Sequence, residues 1–143
     1  MTESRVIPGG TIKWSQDATA NDSDKSFTTP VGKVREYLAV YLRFVTTATV
    51  GNRLLAIHLY PDGVLEMGRP FTSGTIAASL DQRYMIGFGS ITDDTSSGAN
   101  TLVQGAPRCI IPAGGYLRIF DTAAVDAAAD DLTVNLHYIE YDA

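Results

Sequence analysis

Between Val34 and Val45 the chain alternates, with Leu38, Val40, Leu42 and Phe44 on one parity and Arg35, Tyr37, Tyr41 and Arg43 on the other. A period of two sends successive side chains to opposite faces of an extended backbone, so this is a half-buried strand. Helical spacing would mix the two sets on one face, and the density of Val, Tyr, Phe and Thr also favours a strand. Carried on to Thr49, the run would reach about 50 Å at ~3.3 Å per residue, longer than most strands of small domains. A bend or bulge is therefore expected near Thr46 to Ala48.

The same period recurs along the chain. Thr11 to Gln16 carries Ile12 and Trp14 on one side, and Arg53 to Tyr60 sets Leu55, Ile57 and Leu59 against Ala56, His58 and Tyr60. Pro61-Asp62-Gly63 reverses the chain into Val64 to Arg69, because proline fixes one backbone angle and the next residues tolerate positive φ. Further strands are expected at Gln82 to Ser90, Leu102 to Ile111, Tyr116 to Asp121 and Leu132 to Tyr141, the last with Leu132, Val134, Leu136 and Tyr138 on one face. Thr92 to Asn100 has loop composition, and Pro112-Ala113-Gly114-Gly115 is a turn. Thr75 to Leu80 and Ala123 to Ala129 are too short for independently stable helices. Seven or eight short strands without intervening amphipathic helices predict an all-β fold: an antiparallel β-sandwich or jelly roll. Asp17 to Ser26 is polar, so residues 1–26 read as an extended arm or loop-rich segment preceding a sandwich of residues 27–143.

A chain of 143 residues suffices for one domain with a core of its own. Sixteen acidic against eleven basic side chains give a net charge of −5, which opposes a phosphate backbone or an anionic membrane, and no basic stripe offsets it. Nucleic acid and membrane are therefore not expected partners. Met1 to Arg5 lacks the pattern of a signal peptide and no apolar run approaches ~20 residues, so an aqueous compartment is expected. Charged residues are fewer than usual, and Thr, Ser, Asn, Gly and Ala fill their place, a surface suited to packing against other protein.

Each candidate for chemistry has a plainer reading. Cys109, the one cysteine, precedes Ile110 and Ile111 and is expected to be a buried, inert thiol. His58 and His137 belong to no spaced ligand set and read as exposed or interface residues. Gly87-Phe88-Gly89-Ser90 imitates a dinucleotide loop, but Thr92 stands where the third glycine belongs and no helix follows. Asp93, Asp94, Asp121, Asp126, Asp130 and Asp131 match no calcium-loop spacing and read as solvated loop carboxylates. Asn21-Asp22-Ser23 has glycosylation spacing by chance. Arg35/Tyr37, Tyr41/Arg43 and Arg83/Tyr84 set aromatic beside basic residues, which a sheet surface or protein interface explains better than a single-strand platform. Catalytic residues, metal ligands and cofactors are thus expected to be absent, and Trp14, Tyr37, Tyr41, Tyr60 and Tyr116 are the candidate interface residues.

Val34 to Gly63, with Tyr37-Leu38-Ala39-Val40-Tyr41-Leu42, then Thr46-Thr47-Ala48-Thr49-Val50-Gly51-Asn52-Arg53 and Asp62-Gly63, resembles a family of small virion proteins of tailed bacteriophages. Ile111-Pro112-Ala113-Gly114-Gly115-Tyr116-Leu117-Arg118-Ile119, a loop with Asp130, and the closing Tyr138-Ile139-Glu140-Tyr141 are similar too. The resemblance implies a β-sandwich component of the particle with no catalytic residues. Its most compatible role is a decoration or cement protein on the capsid exterior, made in the host cytoplasm, with the major capsid protein as partner and a homo-oligomer, most simply a trimer, as its assembly. A neck, tail or fibre-base component is the nearest alternative. A carbohydrate- or receptor-binding module is the other, for which Trp14, Tyr60 and Tyr116 are the residues to test.

Overall fold

The computed structural model describes residues 9–64, 67–70, 75–89, 95–96, 101–106 and 108–143. They form two sheets and, among the described residues, no helix. The larger sheet runs β1 (Thr11–Asp17), β11 (Asp131–Asp142), β3 (Lys33–Val45), β6 (Asp81–Phe88), β8 (Thr101–Ala106) and β7 (Thr95–Ser96), with β9 (Cys109–Ile111) also on β3. The smaller sheet runs β2 (Asp24–Thr28), β10 (Tyr116–Asp121), β4 (Leu55–Tyr60) and β5 (Met67–Pro70). The protein is an all-β sandwich, as expected, and its neighbouring strands are antiparallel except for the parallel pair β6 and β8.

The alternating residues build the core as the period requires. Leu132, Val134 and Leu136 of β11, Val40 and Phe44 of β3 and Leu117 and Ile119 of β10 are all 0% exposed. Each such side chain withdrawn from water contributes roughly 1.5–3 kcal/mol before conformational entropy is counted against it.

The parity of β3 does not run through unbroken. In its ladder with β11, Ala39 opposes His137 but Tyr37 opposes Tyr138, so Leu38 is an extra residue and the strand bulges there. The break falls where β3 changes its other neighbour: Ala39 to Val45 pair with β6, whereas Arg35 to Tyr37 pair with β9. Shifting a strand by one residue exchanges its faces. Tyr37, expected at an interface, therefore enters the core and is 1% exposed, while Leu38, expected inside, is only half-buried. The irregularity expected at Thr46 to Ala48 is instead the strand's end: the Thr46 N–H donates to the Leu80 carbonyl at 2.8 Å and its hydroxyl to the Ala77 carbonyl at 2.8 Å.

Two further differences bear on the surface. The segment read as an arm through Ser26 supplies a strand to each sheet from Thr11 onward, β1 on β11 and β2 on β10; residues 1–8 lie outside the described residues. β2 escapes a hydropathy pattern because Lys25, its inward residue, is buried. Within Leu102 to Ile111 the described residues form two strands, β8 and β9, not one. Of the Thr92 to Asn100 loop, only the two residues of β7 are described.

The parity switch generates a prediction. Leu42→Asp places a charge in the core and is expected to destabilise by ~4 kcal/mol or more in urea unfolding, whereas Leu38→Asp, beyond the bulge, costs markedly less. Equal losses at both positions would contradict the register.

Candidate functional site

Among the described residues, charged side chains lie buried at three places, each closing a boundary of the core. At one end of the sandwich, the β3–β4 connection meets the β10–β11 connection. Arg53 and Asp130, both side chains 0% exposed, form a two-point ion pair there, with Nε to Oδ2 at 2.8 Å and Nη2 to Oδ1 at 3.2 Å. Arg53 Nη1 donates to the carbonyls of Thr49 at 2.9 Å and Gly51 at 2.8 Å, and the Thr47 N–H donates to Asp130 at 2.7 Å. The Thr47 and Thr49 hydroxyls donate to Asp126 at 2.6 and 2.8 Å, and they hold its carboxyl below the usual carboxylate range. Gly51 sits at φ +151°, and a Cβ there would stand 2.6 Å from a Val125 methyl. Asp121, also buried, accepts the Leu54 N–H at 2.9 Å and the Ala123 N–H at 3.0 Å.

These contacts correct the reading of the acidic residues as solvated. Asp121 and Asp130 are buried and bonded, because loop N–H groups and an arginine withdrawn from water need acceptors. Asp131 accepts the Asn21 N–H, and Asp93 and Asp94 lie outside the described residues. Among the described residues, no group of three His, Cys, Asp or Glu is arranged to hold a metal.

At the opposite end Glu140 receives Lys13 at 2.6 Å and Arg35 at 2.9 Å. The Lys13 bond holds the Glu140 carboxyl below its ordinary value, desolvation opposes that, and Arg35 adds to the lowering. Turns 29–32, 61–64 and 112–115 adjoin there: the Thr29 N–H donates to the Gly115 carbonyl at 2.9 Å, and the Gly114 N–H to the Thr29 carbonyl at 3.0 Å. Gly115 has no room for a Cβ, which would lie 2.6 Å from the Pro61 carbonyl and the Ile111 side chain. Along one flank, the fully buried Lys25 ammonium reaches Asp17 and Asp22 at 3.2 Å each and the Thr19 carbonyl at 2.9 Å.

The candidate interface residues do not form one site. Tyr37 is in the core, where burial pushes its hydroxyl up to about 12. Tyr60 and Tyr116 are cross-strand partners on the outer face of the smaller sheet, stacked on each other at 4.2 Å. Stacked so, neither offers its partner-facing ring to a sugar. Beside them Arg118 lies 3.9 Å over the Phe120 ring and pairs with Asp24 at 2.6 Å, while His58 meets Phe120 edge-on at 4.8 Å. Trp14 and Tyr41 are on the outer face of the other sheet. There the Trp14 indole lies flat on His137, centroids 3.8 Å apart and planes 4° apart, with Tyr41 at 6.2 Å. Trp14 is 61% and Ile12 64% exposed, and Ile110 is exposed on the same face.

The remaining motifs resolve simply. Cys109 is buried, as expected, and burial pushes its thiol up to about 12. Gly87 and Phe88 end β6 and Gly89 is a turn at φ +80°; Ser90 to Thr92 lie outside the described residues. Tyr84 joins the core, while Arg43, paired with Asp81 at 2.7 Å, stands opposite Arg83 on the outer face that also carries Tyr41. No helix of the described residues is long and apolar enough to cross a membrane.

The fold defines a β-sandwich with buried ionic closures and exposed apolar edges. No protein-family model matches the chain, and no curated protein is similar to it. Among solved structures it is similar to a chain of "Structure of infectious bursal disease virus Gx strain", at 12% identity and a TM-score of 0.28, over 91% of this chain. It spans 40% of that chain's length.

The ionic closure is testable by unfolding. Arg53→Met leaves Asp130 buried without its cation and is expected to cost roughly 3–5 kcal/mol. Adding Asp130→Leu should restore part of that loss, the remainder reflecting the Thr49 and Gly51 carbonyls and the Thr47 N–H left unpaired. A double variant no more stable than the single would contradict the pairing.

Proposed function

We propose that this chain is a structural protein of a tailed-bacteriophage particle, added in many copies to the capsid exterior, where it contacts the major capsid protein and stabilises the shell. The observation that carries this reading is where the resembling residues fall. Thr47, Thr49, Gly51, Arg53 and Asp130 belong to the buried ionic closure, and Asp62-Gly63 and Pro112 to Gly115 are two of the three adjoining turns at the other end. These positions make sharp demands on residue type, so agreement at them bears on the fold and not on surface composition.

The surface supports the same role. Val31, Val50 and Val64 stand at loop tips with 95%, 92% and 84% of their area exposed, apolar area that a neighbouring protein would remove from water. A copy ordered on a shell has to offset its lost freedom with buried area on the order of 1,000 Å² or more, and repeated weak interfaces then add through multivalency.

Particles prepared with and without this protein should differ on heating or osmotic shock, those with it retaining their genome to the higher temperature. Equal release temperatures, with imaging that finds the protein only at the tail or at a single vertex, would instead place it in the neck or at a fibre base.

A further inference from the structure

Many surface charges are engaged within the chain. Arg43 pairs with Asp81, Arg108 with Glu36 and Arg118 with Asp24, and Tyr60 and Tyr116 cover one another. The outer face of the larger sheet around Trp14 differs. There Trp14 and Gln16 of β1 stand opposite His137 and Asn135 of β11, and Tyr41 of β3 lies beyond Asn135. The two rows continue on β3 and β6 as Ala39 and Gly87, and as Tyr41 and Met85, with no carboxylate, lysine or arginine in either. Among the described residues, none hydrogen-bonds to the side chains of Trp14, Gln16, Asn135 or Tyr41. An indole N–H, a phenol and two carboxamides are thus left open together on one uncharged patch.

We propose that this patch binds neutral carbohydrate: a pyranose ring stacks on the free face of Trp14, and the carboxamides of Gln16 and Asn135 hydrogen-bond its hydroxyl groups. A pyranose presents a face of C–H bonds, which suits the electron-rich face of an aromatic ring, and a rim of hydroxyls. A carboxamide sets an acceptor and a donor side by side, which matches two neighbouring hydroxyls. The aromatic plane and the two amides therefore answer the two halves of a sugar. An apolar protein segment laid here would remove both amides from water without partners, at a cost that hydroxyl groups offset. The neutral character of the two rows selects the kind of sugar, and the net charge of −5 repels an acidic one.

The platform is formed before a ligand arrives. His137 backs one face of the indole with the ring planes 4° apart, and Trp14 is still 61% exposed, so the opposite face is open. A ring already held in place loses little further freedom on binding. Ala39 and Gly87 keep the sheet low beside the stack, while Tyr41 and Met85 stand higher in the adjoining row. The result is a shallow step along which a glycan chain lies, not a cavity that encloses it, and a single site of this kind binds weakly, with a Kd on the order of 1 mM. The inference goes beyond the virion reading and is tested on the isolated chain, so either stands if the other fails. On a shell carrying many copies, such weak sites add through multivalency.

Trp14 is the only tryptophan, so its emission reports on this patch alone. The full chain is titrated with hexamers of glucose, galactose, mannose and N-acetylglucosamine to ~10 mM, about ten times the expected Kd. At least one should change the emission saturably, and sialylated and uronate-containing oligosaccharides should bind more weakly. Calorimetry with the best neutral ligand should find binding weakened at least ~10-fold in Trp14→Ala and partly retained in Trp14→Phe. The double variant Gln16→Leu/Asn135→Leu should also lose binding, although its patch is more apolar, and Tyr116→Ala on the other sheet should bind like the parent. Each variant should melt near the parent, since all four positions lie on outer faces. No saturable change with any neutral hexamer, preference for the acidic ligands, binding that survives Trp14→Ala, or binding lost in Tyr116→Ala would each overturn the proposal. So would emission that responds only to empty shells and responds more strongly in the double variant, which would assign the patch to contact with the shell protein.

Discussion

Arg53 and Asp130 meet where the chain crosses between the two sheets. The connection holding Arg53 leads from β3 in the large sheet to β4 in the small one, and that holding Asp130 leads back from β10 to β11. Their ion pair ties the outward crossing to the returning one. Removing two charges from water is costly, and their attraction offsets that cost only where the remaining donors and acceptors are satisfied. Here they are: the guanidinium also reaches two carbonyls and a threonine hydroxyl, and the carboxylate accepts a backbone N–H. A loop displaced by one residue would strand a buried charge, so the pair specifies one connection geometry among many that an apolar contact would tolerate.

The other buried charges act in the same manner at the remaining boundaries. Glu140, with Lys13 and Arg35, seals the far end where β1, β11 and β3 run out of apolar residues. Lys25, held by Asp17, Asp22 and a carbonyl, closes the flank between β1 and β2. In each case a charged group that would suit chemistry in an open pocket is fully engaged in holding strands. Among the described residues, Ile12, Trp14 and the valines of the loop tips are large apolar side chains that stay exposed.

Much of this architecture was legible from alternation. The strands β3, β4, β10 and β11 and the inward row Leu132, Val134, Leu136 and Tyr138 follow from a period of two, and the turns from proline and glycine. What escaped has identifiable causes. β2 is hidden because a lysine normally signals solvent, and only its three acceptors, brought from the end of β1 and the β1–β2 turn, let it point inward. The bulge at Leu38 is hidden because leucine fits the expected parity, so nothing local marks the residue as extra. Asp121 and Asp130 resembled solvated loop acids because their donors, Leu54 and Arg53, lie 67 and 77 positions away. The candidate interface residues divide similarly: Trp14 and Tyr41 are adjacent through strand pairing, while Tyr37 is drawn into the core by the bulge.

The sequence by itself determined that this chain forms a β-sandwich, because side-chain period is a property of neighbouring residues and burial follows from it. It also pointed to a buried lone thiol and to a chain poor in charge. Only the tertiary structure decided which acids and bases are buried and which face each half of β3 presents. Those depend on partners distant along the chain: desolvation, ion pairing and strand register are set by what folds against a residue, and no local pattern carries that information.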